Sequence, residues 1–331
     1  MFKRSKSKEE RTDLIDVSEP YDKPENIAAP APRELSEEDQ VKYTTILKHF
    51  QDPELLISTT EDGKGEKKPL IKSEKLWLTR ECIMRYLRAT KGKTEESIQR
   101  LEQTIAWRRE FGITGQEDKV TPELVEPENF TGKQVILGFD KNARPILYFK
   151  PGRQNTKTSF RQIQSTVWFL ERVIDMMPAG QETLALLIDF KHHKVEGETS
   201  KLPAVSTGKQ VLHILQSHYP ERLGKAMFVN QPLVATLFLK AIYPFIDPLT
   251  KEKLIFDAAF TTVVNEDQLD KEYDGRLNFE YKHSEYWPAL VKLTQEKRAH
   301  LLKRFETLGA TVGISEYDLK GDGDVVKFPV A

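Results

Sequence analysis

Residues 232–256 read PLVATLFLKAIYPFIDPLTKEKLIF, and this stretch decides how the rest of the chain is interpreted. Between residues 233 and 246 Lys240 is the only charged residue, and apolar side chains fall on every face of a helix instead of forming one stripe. A membrane span needs about 20 apolar residues, so the run is too short for one. Pro244 should kink or end the helix, and Asp247 followed by proline predicts a turn. The pattern is typical of a buried or interfacial helix.

The sequence around this helix alternates between strand-like and helical patterns. The strand-like runs are VILGFD, PILYFK, TLALLIDF, AMFVN and KLIFDAA, and the helical patterns include TSFRQIQSTVWFLERVIDMM and STGKQVLHILQSHY. TLALLIDF is apolar at successive positions, as expected of a central strand that is covered on both faces. A last helical pattern covers about residues 284–307. The alternation predicts an α/β domain with a largely parallel sheet at residues 130–310.

Three helical patterns precede this domain and predict a small all-helical N-terminal lobe at residues 36–115. The first, SEEDQVKYTTILKHF, begins with Ser36 as the predicted N-cap. Its apolar positions at helical spacing are Val41, Ile46, Leu47 and Phe50. The polar loop STTEDGKGEKKP separates the first pattern from the second, around LWLTRECIMRYLRATKG, and the third is TEESIQRLEQTIAWRREFG. In the third, Thr94 is a predicted cap and Gly112 a predicted C-terminal stop.

The two ends of the chain have polar compositions. Residues 1–35 combine charge runs with four prolines and few aliphatic side chains, which predicts a disordered tail. Residues 311–331 are predicted to be a solvated C-terminal tail. The run DLKGDGDVV within it has only a superficial likeness to a calcium loop, because Lys320 and Gly321 occupy ligand positions and no glutamate follows at the twelfth position.

Composition excludes several classes of protein. The chain has 331 residues with 50 basic and 51 acidic side chains, and this balance argues against nucleic-acid binding. The single cysteine, Cys82, rules out an internal disulfide and favours a reducing compartment. The first residues contain no apolar run of the kind found in secretory signals. We therefore expect a soluble cytoplasmic protein, in which the sequon at Asn129 is a chance match.

The common catalytic motifs are missing from the sequence. It contains no phosphate-binding loop, dinucleotide fingerprint, G-x-S-x-G elbow or H-E-x-x-H pair. His192 and His193 are adjacent in a predicted extended segment, so their side chains should point to opposite sides. His213 and His218 are interpreted as polar contacts at a helix end, and Cys82 as a small apolar side chain. We predict that the protein is not an enzyme and has neither a metal site nor a cofactor.

Longer segments resemble a known family. ILQSHYPERLGKAMFVNQP followed by PFIDPLTKEKLIF, together with CIMRYLRATKGKTEESIQRLEQTIAWRREFG, is similar to the CRAL-TRIO lipid-exchange family over roughly residues 75–275. Within it, the fungal phosphatidylinositol transfer proteins are most similar, in particular the pleiotropic-drug-resistance subgroup linked to azole tolerance. The resemblance implies a CRAL-TRIO lipid-binding domain, in which a sheet floors a hydrophobic cavity that holds one phospholipid.

The same resemblance implies that residues 233–246 form a mobile gate over the cavity. Its gate residues are Leu233, Leu237, Phe238, Ile242 and Phe245. Burial of a methylene is worth about 0.8 kcal/mol, so two acyl chains with about 30 methylenes hold a lipid in a bilayer by about 25 kcal/mol. Release into water would be too slow, and a carrier must open at the membrane. The all-round apolar helix is thus expected to be a lid in one state and a membrane-facing surface in another.

The residues that bind the lipid headgroup in the family can be matched to positions in this chain. The resemblance implies that Glu221 in the YPER segment contacts the inositol ring, and that Thr250 and Lys253 bind the phosphate and inositol side. A basic pair in the helical lobe corresponds to Thr90 and Lys91, of which only the lysine keeps the family's charge. A cationic amine and a hydroxyl suit a phosphate, and a carboxylate accepts hydrogen bonds from ring hydroxyls.

Members of the family that also bind phosphatidylcholine hold its headgroup with hydroxyl side chains from the strands. The corresponding positions here are Ile136, Leu147, Leu184 and Leu186, all of them apolar. We therefore predict phosphatidylinositol binding without phosphatidylcholine exchange. An alignment shifted by one residue would put Tyr148 in place of Leu147. The apolar pocket also leaves open a sterol or another hydrophobe as ligand.

Two other functions remain as alternatives to lipid transfer. One is a regulatory module that uses the same fold to bind a protein partner, and the other is an enzyme of unknown type. The expected partners are a phospholipid ligand, a transient membrane surface and lipid kinases. We expect a cytoplasmic location, peripheral to the endoplasmic reticulum, lipid droplets or the cell periphery.

Overall fold

The computed structural model describes residues 11–114, 119–194, 205–323 and 325–330. The helices are α1 (Glu37–Gln51), α2 (Lys72–Trp77), α3 (Arg80–Ala89), α4 (Thr94–Phe111), α5 (Pro122–Val125), α6 (Phe160–Asp175), α7 (Val205–His218), α8 (Leu233–Ile242), α9 (Pro248–Lys251), α10 (His283–Thr307) and α11 (Glu316–Lys320). The strands are β1 (Ile15–Val17), β2 (Ile57–Ser58), β3 (Lys67–Lys68), β4 (Gln134–Phe139), β5 (Pro145–Phe149), β6 (Leu184–Asp189), β7 (Leu223–Val229), β8 (Leu254–Phe256) and β9 (Leu277–Phe279).

Five strands form the main sheet in the order β4-β5-β6-β7-β8. β5, β6, β7 and β8 run parallel to one another, whereas β4 pairs antiparallel with β5 at one edge of the sheet. The prediction of an α/β domain with a mostly parallel sheet is confirmed. Strand β6 lies at the centre, and all of its side chains are buried except the half-buried Leu186. Burial on both faces explains why its sequence does not alternate with polar residues.

Strand register assigns side chains to the two faces of the sheet. Residues paired in register share a face, as do residues two apart in one strand. One face packs against Leu239 of α8 through Ile188, Ala226 and Phe228. We call it the gate face, and its residues include Gln134, Ile136, Leu147, Phe149, Leu184, Leu186, Ile188, Ala226, Phe228, Leu254 and Phe256. Apart from Gln134 at the edge these residues are apolar, and the part of the face around Ile188, Ala226 and Phe228 packs against the predicted gate helix.

Tyr148 belongs to the opposite face. It pairs in register with Leu187 of the central strand, one position away from the pair formed by Leu147 and Leu186. Its ring stacks on Tyr273 with a centroid distance of 5.7 Å, and its hydroxyl accepts the backbone N–H of Asp270 at 3.4 Å. The residue on the gate face is thus Leu147, and the alternative alignment that places Tyr148 there disagrees with the register.

The N-terminal lobe has a core of its own. Helices α1, α3 and α4 enclose buried side chains that include Tyr43, Ile46, Leu47, Phe50, Ile83, Leu87, Leu101 and Ile105. The segment expected to be a polar loop contains a short antiparallel ladder between β2 and β3. Glycine at position 112 ends α4 with φ at 85°, a left-handed conformation that glycine adopts without steric cost.

Two local predictions in the lobe need correction. Val41 is 67% exposed. It lies about 140° around the helix from Ile46 and therefore misses the buried stripe. Thr94 is the first residue of α4 and not its cap, which is Lys93 without a side-chain hydrogen bond. The predicted cap at Ser36 is present, since its hydroxyl accepts the N–H of Asp39 at 3.1 Å.

The two predicted tails also differ from expectation. In the N-terminal tail, β1 pairs parallel with β9, and the carbonyl of Arg33 accepts a hydrogen bond from Arg80. The free edge of β9 and the donors of the lobe supply partners that the composition of residues 11–35 does not reveal. In the C-terminal tail, α11 is partly buried, and three apolar side chains are buried instead of solvated. These side chains are Val312, Ile314 and Leu319.

A buried charge cluster joins the lobe, the α/β domain and the C-terminal segment. Arg85 of α3 contacts Glu182 at 3.0 Å and Glu316 of α11 at 2.6 Å. Arg222 of the α/β domain contacts the same Glu316 carboxylate at 3.2 Å. Glu81 accepts hydrogen bonds from the Ser315 hydroxyl and the Glu316 N–H. The C-terminal segment therefore completes the junction between the two larger units.

A second ion pair crosses the same junction. Arg108 of α4 contacts Glu171 of α6 at 2.8 Å, and Tyr219 donates its hydroxyl to the same carboxylate at 2.6 Å. Burial alone would raise the pKa of Glu171, but Arg108 and the hydrogen bonds outweigh it and lower the pKa to about 2. Between about pH 2 and pH 4.5 the Glu171 carboxylate is therefore mainly charged in the folded protein, whereas the same group is mainly protonated in the unfolded chain.

This pair predicts an acid-sensitive contribution to stability. The folded pKa lies below the unfolded value, so the contribution is complete above about pH 4.5 and is lost as the pH falls towards 2. The free energy of unfolding of Glu171→Gln should therefore lie furthest below wild type at neutral pH, and the gap should narrow by about 3 kcal/mol on acidification. Urea unfolding at a series of pH values measures this gap. A gap that stays constant below pH 5 would contradict the assignment.

Candidate functional site

Helix α8, the predicted gate helix, lies on the surface with most of its apolar side chains in contact with solvent. Leu233 is 76% and Leu237 56% exposed, and Ala235 is the only residue of α8 that is fully buried. After Ile242 the chain continues as a short 3-10 turn, Tyr243–Phe245, so the helix ends where Pro244 predicted a break. An exposed apolar surface of this kind marks a site of contact with a membrane or a partner.

The other side of α8 faces the protein. Leu239 packs on the gate face, whereas Phe238 and Ile242 point towards Gly208 of α7. Beyond the helix, the ring of Phe245 lies 4.0 Å from the ammonium of Lys209. Of the five predicted gate residues, two thus pack inward against α7 while Leu233, Leu237 and Phe245 are exposed.

An open groove of about 450 Å³ runs between α8 and the end of β8. Its apolar lining comes from Leu239, Tyr243 and Phe256, with Lys240 and Asp257 at its polar margin. Phe256 stacks on Phe228 of the gate face with a centroid distance of 4.9 Å. The groove therefore connects solvent to the apolar floor beneath the helix, and its volume is in the range of small-molecule pockets, about 300 to 1,000 Å³.

The four predicted inner-pocket residues lie together on the gate face. Ile136 pairs with Leu147, and Leu147 pairs with Leu186 on the next strand. Leu184 is two residues before Leu186 and shares its face. Their side chains carry no hydroxyl, so this part of the floor has no side-chain hydrogen-bonding group. The prediction that they form one apolar surface agrees with the register.

The predicted headgroup residues Glu221 and Lys253 are neighbours. Their carboxylate and ammonium are 4.0 Å apart, and both side chains are partly exposed. Thr250 lies at the same place, since its carbonyl accepts the N–H of Lys253 at 3.0 Å and its own N–H is capped by Asp247. Glu221 has φ at 59°, so its backbone is held in the left-handed region. A carboxylate and an ammonium are thus brought together, with Thr250 on the adjoining turn, at the end of what we call the gate segment, residues 233–253.

The two lobe residues fit this group less well. The Thr90 hydroxyl is buried at the end of α3, where it lies within hydrogen-bond distance of the Tyr86 carbonyl at 3.1 Å and the Ser97 hydroxyl at 2.7 Å. These contacts lie within the lobe, and the role of Thr90 in headgroup binding stays a prediction. Lys91 is exposed, and within the described ranges no hydrogen bond or ion pair links it to Glu221 or Lys253.

Other candidate groups have structural surroundings. His218 stacks on Trp107 at 4.2 Å, and burial lowers its pKa to about 3. Burial raises the pKa of the Cys82 thiol to about 11, which suppresses the thiolate that a nucleophile needs. Asn129 is buried and donates its side-chain amide to the carbonyl of Gln134 at 2.9 Å. In the part of the chain that the structure describes, no three His, Cys, Asp or Glu side chains converge as metal ligands.

Sequence reasoning predicted helix α7 but missed its contact with the gate. The contacts of α7 with the gate segment come from Gly208, Lys209 and Gln216, whose side-chain carbonyl accepts the N–H of Asp247 at 2.9 Å. The one local signal was a glycine inside the helical pattern STGKQVLHI. Among the described helices, none has both the length and the apolar character required to cross a bilayer.

Comparisons with known proteins agree with this architecture. The family models of the CRAL/TRIO domain and of the CRAL/TRIO N-terminal domain match residues 129–275 and 42–103. Phosphatidylinositol transfer protein PDR17 of Saccharomyces cerevisiae is 46% identical over 311 residues, which are 91% of this chain and 89% of that protein. A CRAL-TRIO domain-containing protein of Schizosaccharomyces pombe is 46% identical over 299 residues, 90% of this chain but 29% of that protein.

A solved structure gives the same result for the fold. The crystal structure of Sfh5 superposes with a TM-score of 0.51 and 16% sequence identity, and covers 81% of this chain and 99% of that chain. At this identity the likeness concerns the fold alone. Together with the family models and the two relatives, it confirms the resemblance found in the sequence, and the chain belongs to the CRAL/TRIO family.

Proposed function

We propose that the protein binds one phosphatidylinositol molecule and transfers it between membranes without catalysing a reaction. The observation that carries this proposal is the exposed apolar helix α8 over an apolar sheet face, with Glu221 and Lys253 at the end of the same segment. It is supported by the 46% identity to PDR17, a phosphatidylinositol transfer protein.

The headgroup would bind between the gate segment and the YPER turn. The Lys253 ammonium and the Thr250 hydroxyl suit the phosphate, and the Glu221 carboxylate suits the ring hydroxyls of inositol. At 4.0 Å, Glu221 and Lys253 are too far apart to hydrogen-bond to each other, so both can turn to a ligand. Lys91 is kept in this proposal as a cation that approaches when lipid is present.

The acyl chains would lie on the gate face beneath α8. Opening of the gate at a membrane would let them exchange one apolar environment for another, which avoids most of the about 25 kcal/mol needed to bring them into water. Exposed Leu233, Leu237 and Phe245 would enter the bilayer surface, and Lys240 would lie near anionic headgroups.

The apolar floor also supports selectivity against phosphatidylcholine. A phosphocholine group buried beside Ile136, Leu147, Leu184 and Leu186 would lose its hydration without gaining hydrogen-bond donors. Each polar group left unpaired in this way costs about 1 to 3 kcal/mol. The lipid is therefore expected to place its headgroup at Glu221 and Lys253 and not on this part of the floor.

Competitive loading tests the proposal. Purified protein is offered vesicles with equal amounts of phosphatidylinositol and phosphatidylcholine, and the extracted lipid is identified by mass spectrometry. We expect phosphatidylinositol in at least about tenfold excess, as a penalty of 1.4 kcal/mol or more requires. Comparable amounts of the two lipids would contradict the selectivity, and a protein that takes up no lipid would favour the interaction-module alternative.

A matched pair of variants tests the role of the floor. Leu184→Ser with Leu186→Thr should raise phosphatidylcholine uptake, because the new hydroxyls can donate hydrogen bonds to its phosphate. The control, Leu184→Ala with Leu186→Val, makes nearly the same change in size without adding hydroxyls. Equal uptake by both variants would show that volume and not hydrogen bonding sets the selectivity.

A second candidate ligand follows from the same surface. A sterol or another hydrophobe would suit a floor without hydrogen-bonding side chains, and its recovery from the purified protein would support this alternative. We also propose that the protein is cytoplasmic and that it contacts the endoplasmic reticulum, lipid droplets or the cell periphery only transiently. Supply of lipid kinases and a role in azole tolerance belong to the same proposal.

A further inference from the structure

Helix α7 carries a glycine where it meets the gate helix. Gly208 lies inside α7 (Val205–His218), although glycine is among the poorest helix formers. Its φ is not in the left-handed region, so the helix itself does not require a glycine there. The explanation must therefore come from what surrounds this residue.

A side chain at position 208 would meet the ring of Phe238. A Cβ atom built on Gly208 would lie 2.8 Å from Cζ and 3.3 Å from Cε2 of Phe238. It would also lie 3.5 Å from Cγ2 of Ile242 on the next turn of α8. The tip of the Phe238 ring thus lies where a side chain at position 208 would begin, so a larger residue there would have to displace the ring or the helix that carries it.

Two further contacts join α7 to the gate segment. They are the approach of the Lys209 ammonium to the Phe245 ring at 4.0 Å and the hydrogen bond from the Asp247 N–H to Gln216 at 2.9 Å. Both lie beyond the C-terminal end of α8, whereas Phe238 and Ile242 are on the helix itself. The contact at Gly208 therefore lies on the body of α8, where it limits how closely α8 can approach α7.

We propose that Gly208 is a positioning residue that receives the Phe238 ring and thereby sets the closed position of the gate. The inference deepens the lipid-transfer function proposed above and rests on it. A side chain at position 208 would push the ring and α8 away from α7 and shift the gate towards its open form. The size of residue 208 then controls how often the gate opens, and hence how long a bound phospholipid is retained.

Hydrogen exchange of the α8 amides tests the proposal directly in the full-length protein. In Gly208→Val the α8 amides should exchange at least about tenfold faster than in wild type, while those of α3 and α4 are unchanged. Gly208→Ala should show a smaller increase, even though alanine is the better helix former. This variant keeps the test decisive if the valine substitution impairs folding. The matched control is Gln210→Val on the exposed side of α7, which should leave α8 exchange unchanged.

A compensating substitution separates positioning from general damage. Gly208→Val combined with Phe238→Ala should return α8 exchange towards that of Phe238→Ala alone, because the truncated side chain vacates the space that valine fills. Unchanged exchange in Gly208→Val and Gly208→Ala, or no rescue by Phe238→Ala, would overturn the proposal. Exchange reports on the gate without any lipid. If the gate responds as expected but the wild-type protein transfers no phosphatidylinositol between vesicles, the proposed function fails while the role of Gly208 stands.

Discussion

Replacing both Glu221 and Lys253 by alanine is expected to lower the rate of phosphatidylinositol transfer between vesicles by at least about tenfold. Hydrogen bonds to charged groups are worth about 1.5 to 3 kcal/mol each, and 1.4 kcal/mol corresponds to a factor of ten. The two side chains are partly exposed, so their removal should leave the fold intact. Transfer of a fluorescent phosphatidylinositol from donor to acceptor vesicles measures the effect.

The control for this variant is Lys282→Ala with Glu285→Ala. These residues also form an exposed ion pair, at 3.4 Å, at the N-terminal end of α10, and their removal leaves the net charge unchanged in the same way. Transfer by the control variant should equal that of wild type. Transfer at the wild-type rate by the Glu221 and Lys253 variant would refute the proposed headgroup site.

Glu316→Ala is expected to cost about 3 kcal/mol in the free energy of unfolding. Burial alone would raise the pKa of Glu316, but Arg222 and Arg85 outweigh it and hold the pKa well below its usual value. Removing one partner of a buried ion pair leaves the other charge uncompensated, which costs about 3 to 5 kcal/mol. The lower end applies because Arg85 keeps its contact with Glu182. Urea denaturation at neutral pH measures the loss.

Glu296→Ala is the matched control for this stability measurement. Glu296 is exposed on α10, and surface substitutions usually change stability by about 0.5 kcal/mol or less. If Glu316→Ala were as mild as this control, residues 311–331 would behave as the solvated tail that their composition predicts, and the contacts of Glu316 would contribute little.

The sequence predicted those parts of the fold that depend on local pattern. The continuous apolar run around Leu187 predicted a central strand because a strand buried on both faces has no polar positions. The all-round apolar pattern from Leu233 onward likewise predicted a helix with a special environment. Pattern did not reveal that this helix is exposed, because an apolar stretch looks the same whether it faces a core or a membrane.

Long-range contacts explain the failures. The C-terminal segment was predicted to be solvated because no local signal links Glu316 to Arg85. For Thr90 the resemblance located the residue but not the hydrogen bonds that its hydroxyl makes to the Tyr86 carbonyl and Ser97. Placing Leu147 on the gate face required the strand register, because a shift of one residue exchanges the two faces of a strand.

The charge cluster at Arg85 also has a consequence for protein synthesis. Arg85 and Glu316 are 231 positions apart, so a ribosome adding about 5 to 20 residues per second completes the second partner about 10 to 50 seconds after the first. Throughout that interval Arg85 of the N-terminal lobe lacks its Glu316 partner and can pair only with Glu182. Newly made chains should therefore acquire the full resistance of this lobe to proteases only after residue 316 has been made.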